Sequence, residues 1–349
     1  MIKPEPDVLF VGTNRNPGLF RNEPSFIYRC ENLGLGLQSQ GVSVGFRHLS
    51  GVTGRERCKV VVFLRPLATP RQWLLLRRLR RRGATLLADF DDLIFDESLA
   101  RFSPGVLNGL RSPGWTKRRF RAHRRTLAWF DGITVSTPPL AEHVARLLPG
   151  QAVQILPNSV HRDWQQAAWT PPKERPRVLT YFPGTRSHDR DFAQISQPLT
   201  DFLVAHPQVR LRVAGSLHFK LDIDPDRIER QPRVHFSEYV KLVQQGWANL
   251  APLEPTPFNQ AKSALKVIEA ACWGIPTVCS PNPDIRRFDG FGAVMADNDH
   301  QWRTQLERLV DPQSYRQLTE NLREMVLERA GVDTQAKAFA DAWLGGASS

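Results

Sequence analysis

The chain has 349 residues, which is long for one hydrophobic core and suits two domains. Its apolar content of 41% is ordinary for a globular protein, and its apolar runs fall well short of the roughly 18 residues of a membrane-spanning helix. The four cysteines have neither the spacing of a zinc site nor that of a disulfide framework. A strand-like run begins almost at the N-terminus, so we expect no signal peptide and a cytoplasmic protein.

The first part of the chain alternates strand and helix patterns. Short apolar runs predict strands over 7–12, 42–46, 59–66, 84–96, 131–137 and 152–160. Between them, apolar residues spaced by three and four predict helices over 27–41, 71–83 and 138–148. Alternation of this kind is typical of a parallel, doubly wound sheet.

From 159 to 176 the periodicity is lost, and the residues there predict a linker. The alternation then restarts, with strands predicted over 177–184, 209–216, 233–240, 275–280 and 292–296, and helices over 190–207, 263–272 and beyond 301. The sequence therefore predicts two Rossmann-like α/β domains facing across a cleft. We expect them to span 1–158 and 177–325, with a C-terminal helix in 326–349 that crosses back to the first domain.

Open parallel sheets bind ligands beyond the carboxyl ends of their strands, and clefts between domains are favoured binding sites. The loops that follow predicted strands are therefore the candidate site segments. They are 12–25, 89–96, 183–191 and 253–263.

The predicted helix 263–272 carries charged residues on one side. Ala264, Leu265, Ile268, Ala271 and Cys272 recur at the spacing of a buried face, which sets apart the charged residues Lys262, Lys266 and Glu269. Asn259 is a candidate for a capping oxygen, and Ser263 lies near the first turn, where free backbone N–H groups suit a phosphate. Glu269 is placed to accept hydrogen bonds from vicinal hydroxyls such as those of a ribose. The alternative is a solvated face with salt bridges between residues four apart.

The segment FNQAKSALKVIEAACWGIPTVCS, residues 258–280, resembles the donor-binding segment of GT-B glycosyltransferases, and more closely that of the retaining branch grouped with glycosyltransferase family 4. Three further stretches resemble the same branch: LLADFDDLIFD (86–96), YFPGTRSHDRDF (181–192) and ILPNSV (155–160). The resemblance extends over about 8–329. It implies two Rossmann-like domains and a nucleotide-diphosphate sugar as the donor substrate, with no further cofactor.

The resemblance also implies roles for individual residues of the helix segment. Glu269 matches the second glutamate of the family's E-x7-E motif, which holds the nucleotide ribose. Ala261 stands where the first glutamate is expected, so the family's contact from that position to the donor sugar is absent here. Lys262 and Ser263 are expected around the diphosphate, beside Lys266.

Two loops complete the implied donor site. Arg186 and Arg190 follow Gly184 and Thr185 in the loop whose basic residues neutralise the donor diphosphate in the family. The loop that begins at Gly12 would lie over the cleft near the transferred sugar; the alternative for it is a mobile surface loop. His188 is a further, weaker candidate in the basic loop, since a lone histidine is more often structural.

The aspartates of DFDD, residues 89–92, are open to three interpretations. Asp91 and Asp92 would orient the acceptor or donor sugar at the cleft mouth. They would otherwise cap a helix after a strand. The third alternative is a divalent metal held by Asp89 and Asp91, as in the DxD motif of GT-A transferases. We expect no metal, because arginine, lysine and helix N-termini replace the cation in GT-B enzymes.

The net charge is +12, and much of the excess lies in RRLRRR (77–82) and KRRFRAHRR (117–125). Three interpretations remain open for these clusters. They form a solvated helix face, they contact anionic lipid headgroups on the inner membrane surface or an acceptor carried on a lipid phosphate, or they bind nucleic acid. Nucleic acid is the least favoured, because no RNA- or DNA-binding motif is present.

The sequence as a whole predicts a metal-independent hexosyltransferase of cell-surface polysaccharide assembly, and the resemblance implies that it retains the anomeric configuration. It would move a sugar from a nucleotide-diphosphate donor to a growing glycan or lipid-linked acceptor. The alternatives are a sugar-nucleotide epimerase or a phosphorylase of the same shape, or a non-catalytic basic module that binds lipid or RNA.

Overall fold

A computed structural model describes residues 5–345 of the chain. Within them, the strands form two parallel sheets of six strands each. The first sheet contains β1 (Val8–Gly12), β2 (Val44–His48), β3 (Val60–Leu64), β4 (Thr85–Phe90), β5 (Gly132–Val135) and β6 (Val153–Ile155). The second contains β7 (Val178–Gly184), β8 (Arg210–Gly215), β9 (Ile228–Gln231), β10 (Ala248–Ala251), β11 (Thr277–Cys279) and β12 (Ala293–Met295). The predicted fold class, two doubly wound α/β units, is confirmed.

Helices cover both faces of each sheet, as parallel sheets require. The α-helical segments are Pro24–Phe26, Leu33–Ser39, Pro70–Arg80, Pro104–Leu107, Pro113–Leu127, Pro138–Leu147, Arg162–Gln166, Asp189–Ala193, Ser196–Ala205, Phe236–Gln244, Leu265–Ala271, Asp299–Val310, Pro312–Thr319, Leu322–Ala330 and Val332–Trp343. The first two are joined without a break by a π-helical segment, Ile27–Asn32. No helix within 5–345 has both the length and the apolar character to cross a bilayer.

Proline and side-chain caps set where several helices begin. Pro70 and Pro113 each occupy the first turn, where a missing N–H costs nothing. Before them, the hydroxyl oxygens of Thr69 and Ser112 accept hydrogen bonds from the N–H groups of Gln72 and Trp115. The basic helix Pro113–Leu127 therefore starts at a fixed point and in a fixed rotation.

One predicted strand is wrong. Residues 233–240 end in the helix Phe236–Gln244, and the edge strand β9 lies earlier, at Ile228–Gln231. Phe236, Val240 and Val243 recur at helical spacing and pack in one apolar cluster, and the His235 side chain accepts from the Ser237 N–H at the helix start. The run of alternating residues was too short to distinguish the two-residue period of a strand from the 3.6-residue period of a helix. The predicted helix 190–207 is also interrupted, between Ala193 and Ser196.

The strand orders place one crevice on each sheet. The first sheet has the order β2-β1-β3-β4-β5-β6, so the winding reverses between β1 and β3. The second has the order β12-β11-β10-β7-β8-β9, so it reverses between β7 and β10. Loops that leave adjacent strands in opposite directions open a crevice at such a point, and ligands bind there.

The last helix, Val332–Trp343, packs against the first sheet rather than the second. Its Ala336 and Phe339 are buried in one apolar cluster with Val8 and Phe10 of β1. The Trp343 ring crosses β5 where Gly132 has no side chain; a Cβ there would lie 2.1 Å from the ring. The chain thus returns to its N-terminal half at its end.

Replacing Gly132 with alanine should therefore destabilise the protein. The added methyl group meets the Trp343 ring, and overpacking of this kind costs about 1–3 kcal/mol. Urea unfolding measures the effect. Gly51→Ala is the control, because nothing lies within 4 Å of a Cβ at Gly51. An equal loss in both variants would show that the Trp343 contact is unimportant.

Candidate functional site

The two crevices are held close together by hydrogen bonds between the two halves of the chain. The Asn108 side chain donates to the carbonyl of Ser187 at 2.8 Å and accepts from the N–H of Arg190 at 3.0 Å. The Thr137 hydroxyl donates to the carbonyl of Ala261 at 3.0 Å. The loops after β7 and β10 therefore lie directly against the first half of the chain.

Two of the predicted site residues meet across this boundary. The Lys262 Nζ lies 3.0 Å from Oδ1 of Asp92. Asp92 also accepts from Arg65, at 3.1 Å, and the same guanidinium donates to Asp91 at 2.6 Å. Burial alone would raise the pKa of Asp91, but the Arg65 charge and hydrogen bond hold that pKa below its usual value. Sequence reasoning missed Arg65.

Arg65 is the first residue after β3, and its backbone is unusual. Its φ is +47°, a left-handed conformation that costs a non-glycine residue free energy. The N–H of Arg65 donates to the carbonyl of Asp89 at 2.8 Å, and its carbonyl accepts from the Thr13 hydroxyl at 3.1 Å. These bonds hold the strained backbone and aim the guanidinium at the aspartates. The predicted strand extended to residue 66, whereas β3 ends at Leu64, so Arg65 was not recognised as a residue that follows a strand.

Asp89 does something different from its neighbours. It is buried and accepts from Arg29 in a bidentate pair at 2.9 and 2.8 Å, and from the Thr134 hydroxyl at 2.6 Å. Asp89 and Asp91 are thus bonded to different arginines, Arg29 and Arg65. Within residues 5–345, no group of three or more His, Cys, Asp and Glu side chains is arranged to hold a metal ion.

Lys266 and Glu269 point into the protein, so the alternative of a solvated, salt-bridged face is wrong. Lys266 Nζ donates to the carbonyl of Phe182 at 2.6 Å, and burial lowers the pKa of this lysine to about 8. Glu269 is only 7% exposed. Its two oxygens accept from the hydroxyls of Tyr28, at 2.6 Å, and Tyr239, at 2.9 Å, and burial raises its pKa.

Tyr28 belongs to the first half of the chain, whereas Tyr239 and Glu269 belong to the second, so the Tyr28–Glu269 hydrogen bond is a further contact between the halves. Sequence reasoning missed both tyrosines. No local signal marks them, because their bonds to Glu269 span 241 and 30 residues of chain.

The start of the helix Leu265–Ala271 differs from its prediction. Asn259 does not cap it; that side chain lies in a separate turn and donates to Asp191 and to the carbonyl of Glu254, both at 3.0 Å. The N–H of Ala264 donates to Asp284 at 2.8 Å. Ser263 accepts from the side chain of Asn158 at 2.9 Å. A carboxylate therefore binds the N–H of Ala264, the residue that immediately precedes this helix.

The loop after β7 carries its predicted residues at the second crevice. Gly184 has a φ of +72°, which turns the chain out of the strand, and the Thr185 hydroxyl bonds that of Ser187 at 2.8 Å. Arg186 pairs with Asp189 at 3.2 Å, and Arg190 pairs with Glu254. Both arginines remain more than 40% exposed.

Asp191 organises this loop, and it was not predicted. It is 3% exposed, and its Oδ1 accepts from the Glu254 N–H at 2.8 Å and from the Asn259 side chain at 3.0 Å. Its other oxygen bonds His188 Nδ1 at 2.8 Å. Burial lowers the pKa of His188 despite that bond, and the charges of Lys266 and Lys262 lower it further.

A cavity of about 810 Å³ opens at the first crevice. Gly12 and Thr13 line it after β1, and Leu64 and Arg65 line it after β3. The absence of a side chain at Gly12 admits the Phe20 ring, which would lie 2.7 Å from a Cβ there. The remaining lining residues come mainly from the loop 14–26 and the helix Pro113–Leu127.

The basic cluster 117–125 is divided by its helix. Arg118 and Arg119 line the cavity, whereas Arg121 and Arg124 pair with Glu97 at 3.1 and 3.7 Å on another side. The charges of 117–125 are thus divided between the cavity and a side that carries Glu97, and the solvated and membrane interpretations of this cluster stay predictions. The cluster 77–82 is different, because it lies on the helix Pro70–Arg80 beside the exposed Trp73 and Leu74.

Comparisons with known proteins support the resemblance. Residues 190–341 match a family model described as glycosyl transferase-like. A search of curated protein sequences finds no match. In fold, the chain is similar to Anabaena HepE in complex with UDP, at 11% identity and a TM-score of 0.62 over 96% of this chain and 99% of that one.

Two other solved structures share the fold. A variant of S. aureus TarM, in complex with fondaparinux, α-GlcNAc-glycerol and UDP, has 10% identity and a TM-score of 0.57 over 89% of this chain. The chain spans 58% of the length of that protein. The UDP-GlcNAc 2-epimerase of Neisseria meningitidis, bound to UDP-GlcNAc, has 10% identity and a TM-score of 0.53 over 97% of this chain and 99% of that one. The predicted likeness to GT-B glycosyltransferases is confirmed by the family match and the shared fold.

The hydrogen bond between Tyr28 and Glu269 generates a stability prediction. Tyr28→Phe leaves a buried carboxylate oxygen short of a donor, so the free energy of unfolding should fall by ~1–3 kcal/mol. Urea unfolding at neutral pH measures it. Tyr181→Phe is the matched control, because among the described residues the buried Tyr181 hydroxyl has no partner. Equal stability of Tyr28→Phe and wild type would contradict the assigned bond.

Proposed function

We propose that the protein is a glycosyltransferase that moves a sugar from a nucleotide-diphosphate donor to a growing glycan or lipid-linked acceptor, in cell-surface polysaccharide assembly. The observation that carries the proposal is the gathering of Lys262, Lys266 and the loop 184–191 at the crevice between β7 and β10. That crevice is where an open parallel sheet binds its ligand. The match of residues 190–341 to a glycosyl transferase-like family includes Lys262, Lys266 and β10, whereas β7 and most of the loop 184–191 precede it.

The donor diphosphate is placed among these cations. Lys262, Lys266, Arg186 and Arg190 now bond carboxylates or a carbonyl, and a diphosphate would compete for them with more negative charge. Charge that develops on the leaving nucleoside diphosphate is best stabilised by groups already in position. Glu269 is placed at the ribose. Each oxygen of the Glu269 carboxylate uses one lone pair for a tyrosine hydroxyl, so its second lone pair is free to accept from a ribose hydroxyl.

The acceptor side is placed in the first half of the chain. Asp91 and Asp92 would orient the sugars at the cleft mouth, with Arg65 fixing both carboxylates. The Asp92–Lys262 contact joins the two substrate sides, so a donor that draws Lys262 away would release Asp92 toward the acceptor. Retention of the anomeric configuration rests on the resemblance alone, and the anomeric NMR signal of the product tests it.

The proposal is tested by a thermal-shift panel of UDP-, GDP-, ADP-, dTDP- and CMP-sugars. At a hundredfold excess over Kd, the right donor should stabilise the protein by ~2.7 kcal/mol. Lys262→Gln should then weaken that ligand at least tenfold, because it removes a charge from the diphosphate site. Lys241→Gln is the control, since Lys241 is exposed and pairs only with Glu238 among the described residues. A panel without any stabilising ligand would overturn the proposal.

Epimerase and phosphorylase activity are the rival functions, and the shared fold does not separate them, since an epimerase of this fold is known. The products do. A transferase releases the nucleoside diphosphate and forms a glycoside with the acceptor. An epimerase interconverts two sugars, and a phosphorylase requires inorganic phosphate. Interconversion of a nucleotide sugar without acceptor would favour the epimerase.

We further propose that turnover needs no divalent metal. The supporting observation is that Asp89 and Asp91 bond two different arginines. In addition, four cationic side chains, Lys262, Lys266, Arg186 and Arg190, are assigned to the diphosphate. Transfer should continue at an unchanged rate in EDTA. Complete loss that Mn²⁺ restores would instead favour the DxD interpretation.

Contact with the inner membrane surface is proposed through the helix Pro70–Arg80. Trp73 and Leu74 are 44% and 45% exposed, next to Arg77 and Arg78, a combination suited to an anionic interface. Binding to anionic vesicles should fade with salt, because exposed charges are screened within ~10 Å at 0.1 M. Replacing Arg78, Arg81 and Arg82 with glutamate should abolish it. If the wild-type protein does not bind such vesicles at low salt, the membrane proposal is wrong and this helix face is simply solvated.

The lowered pKa of Lys266 predicts a pH dependence of donor binding. At its pKa of about 8 this lysine is half charged, and a diphosphate bound beside it would raise that pKa. Binding above pH 8 then requires proton uptake, so the affinity for the nucleotide sugar should fall about tenfold from pH 7 to pH 9. Titration calorimetry measures it. Lys266→Arg, which stays charged, should remove most of the dependence; an unchanged profile would place Lys266 away from the diphosphate.

A further inference from the structure

The cavity at the first crevice is lined by five arginines and one glutamate. The arginines are Arg15, Arg65, Arg111, Arg118 and Arg119. Its volume of about 810 Å³ is in the range of ligand pockets, about 300–1,000 Å³, and it lies where β1 and β3 diverge. The size and position of the cavity are therefore those of a substrate site. The charge of the lining residues determines the charge of the ligand that the cavity binds.

Four of these arginines lack an acidic partner. Arg65 is bonded to Asp91 and Asp92, but Arg15, Arg111, Arg118 and Arg119 form no ion pair with any residue in 5–345. On the same helix, Arg121 and Arg124 do have one, Glu97. Arg118 and Arg119 thus present unpaired charges to the cavity, whereas Lys117 and Arg125, which also lie on this helix, are outside its lining.

The helix rotation makes this arrangement specific. Trp115, Arg118, Arg119 and His123 follow one another at spacings of three, one and four, and all four line the cavity. Arg119 is half-buried, and burial together with the charges of Arg15 and Arg111 lowers its pKa. His123 is neutral near pH 7, because burial lowers its pKa to about 3. Like charges held this close repel one another, and a bound anion relieves that repulsion.

The flanks of the cavity are apolar and aromatic. Leu110 is 42% exposed at the cavity lining, and the Arg111 guanidinium lies 5.3 Å from the centre of the Trp115 ring. A guanidinium stacked on a ring is held in a fixed plane and keeps its N–H groups free for a ligand. The site thus combines fixed bidentate donors with a surface for a sugar ring or a hydrocarbon chain.

We propose that this cavity binds a phosphate ester group of the acceptor substrate through Arg111, Arg118, Arg119 and Arg15. The identification of the ligand as the acceptor rests on the proposed transferase function. The anion site itself does not depend on that function. A phosphate dianion accepts several bidentate guanidinium bonds, whereas a single carboxylate needs one arginine. Arg65 lines the cavity and also bonds Asp92, which contacts Lys262, so a bound phosphate ester lies next to the proposed transfer site.

The phosphate ester has two chemical sources, a lipid phosphate or a phosphorylated sugar. Binding of farnesyl phosphate and of glucose 6-phosphate to the full chain, each against its neutral counterpart farnesol or glucose, separates them. Both phosphates should bind tighter than their counterparts, and the tighter of the two identifies the source. If neither phosphate binds wild type better than its neutral counterpart, the inference is wrong.

Matched double variants locate the binding. Arg118→Gln/Arg119→Gln should weaken the phosphate probe at least tenfold and reduce the salt dependence of its Kd. Lys117→Gln/Arg125→Gln removes the same charge from the same helix outside the cavity and should leave the Kd unchanged. Equal weakening in both doubles would attribute binding to general charge and overturn the site. Thermal unfolding of each variant verifies that it is folded.

The nucleotide-sugar panel keeps the two proposals apart. Arg118→Gln/Arg119→Gln should leave the affinity for the nucleotide sugar unchanged, because neither residue contacts the second crevice. If no nucleotide sugar binds while the phosphate probe still depends on Arg118 and Arg119, the transferase proposal fails and the anion site stands. If the nucleotide sugar binds and the phosphate probe is indifferent to these arginines, only the acceptor inference fails.

Discussion

The contact of Asp92 with Arg65 on one side and Lys262 on the other is the interaction on which the proposed site depends. These ion pairs connect the crevice of the first sheet with that of the second. Asp92 and Lys262 are 24% and 22% exposed, and ion pairs that water still reaches are worth roughly 0–1 kcal/mol. The contacts of Asp92 therefore orient the Arg65 and Lys262 side chains and set their spacing, but they contribute little to stability. Contacts of this strength would let the proposed site open to admit a donor and an acceptor.

The buried contacts have the opposite character. Asp89 and Arg29 are both almost fully enclosed, and Glu269 bonds tyrosines from both halves of the chain. Removing one partner of such a group leaves an uncompensated charge or dipole in a medium of low polarity, which is costly. The molecule thus has firm contacts deep beneath the crevices and weak ones at their mouth. Motion that opens the mouth would have to turn about the buried contacts or break the Tyr28 bond.

The sequence predicted the elements that depend on local pattern. Strands such as Val60–Leu64 and helices such as Pro70–Arg80 carry their own periodicity and caps, and these predictions are confirmed. The strand predicted over 233–240 was wrong because strand and helix periods cannot be told apart over so few residues. The site was predictable only where a motif names the residue, as at Lys262 and Glu269. Arg65, Tyr28 and Asp191 gain their importance from partners far along the chain, so their functions follow from tertiary packing. The ligand roles of the named residues, and the domain limits at 158 and 177, stay predictions.

The return of the last helix to the first sheet means that the chain passes between the two sheets twice. The passages run side by side: the N–H of Val160 donates to the carbonyl of Ala330 at 2.8 Å, and the N–H of Val332 donates to the Gln165 side chain at 3.2 Å. A body tethered at one point can swing in any direction, whereas two parallel tethers define an axis. Rotation about that axis stays easy, while sliding and twisting must strain both passages at once. If the protein is the proposed transferase, the donor and acceptor sides would therefore meet in the same register each time the cleft closes.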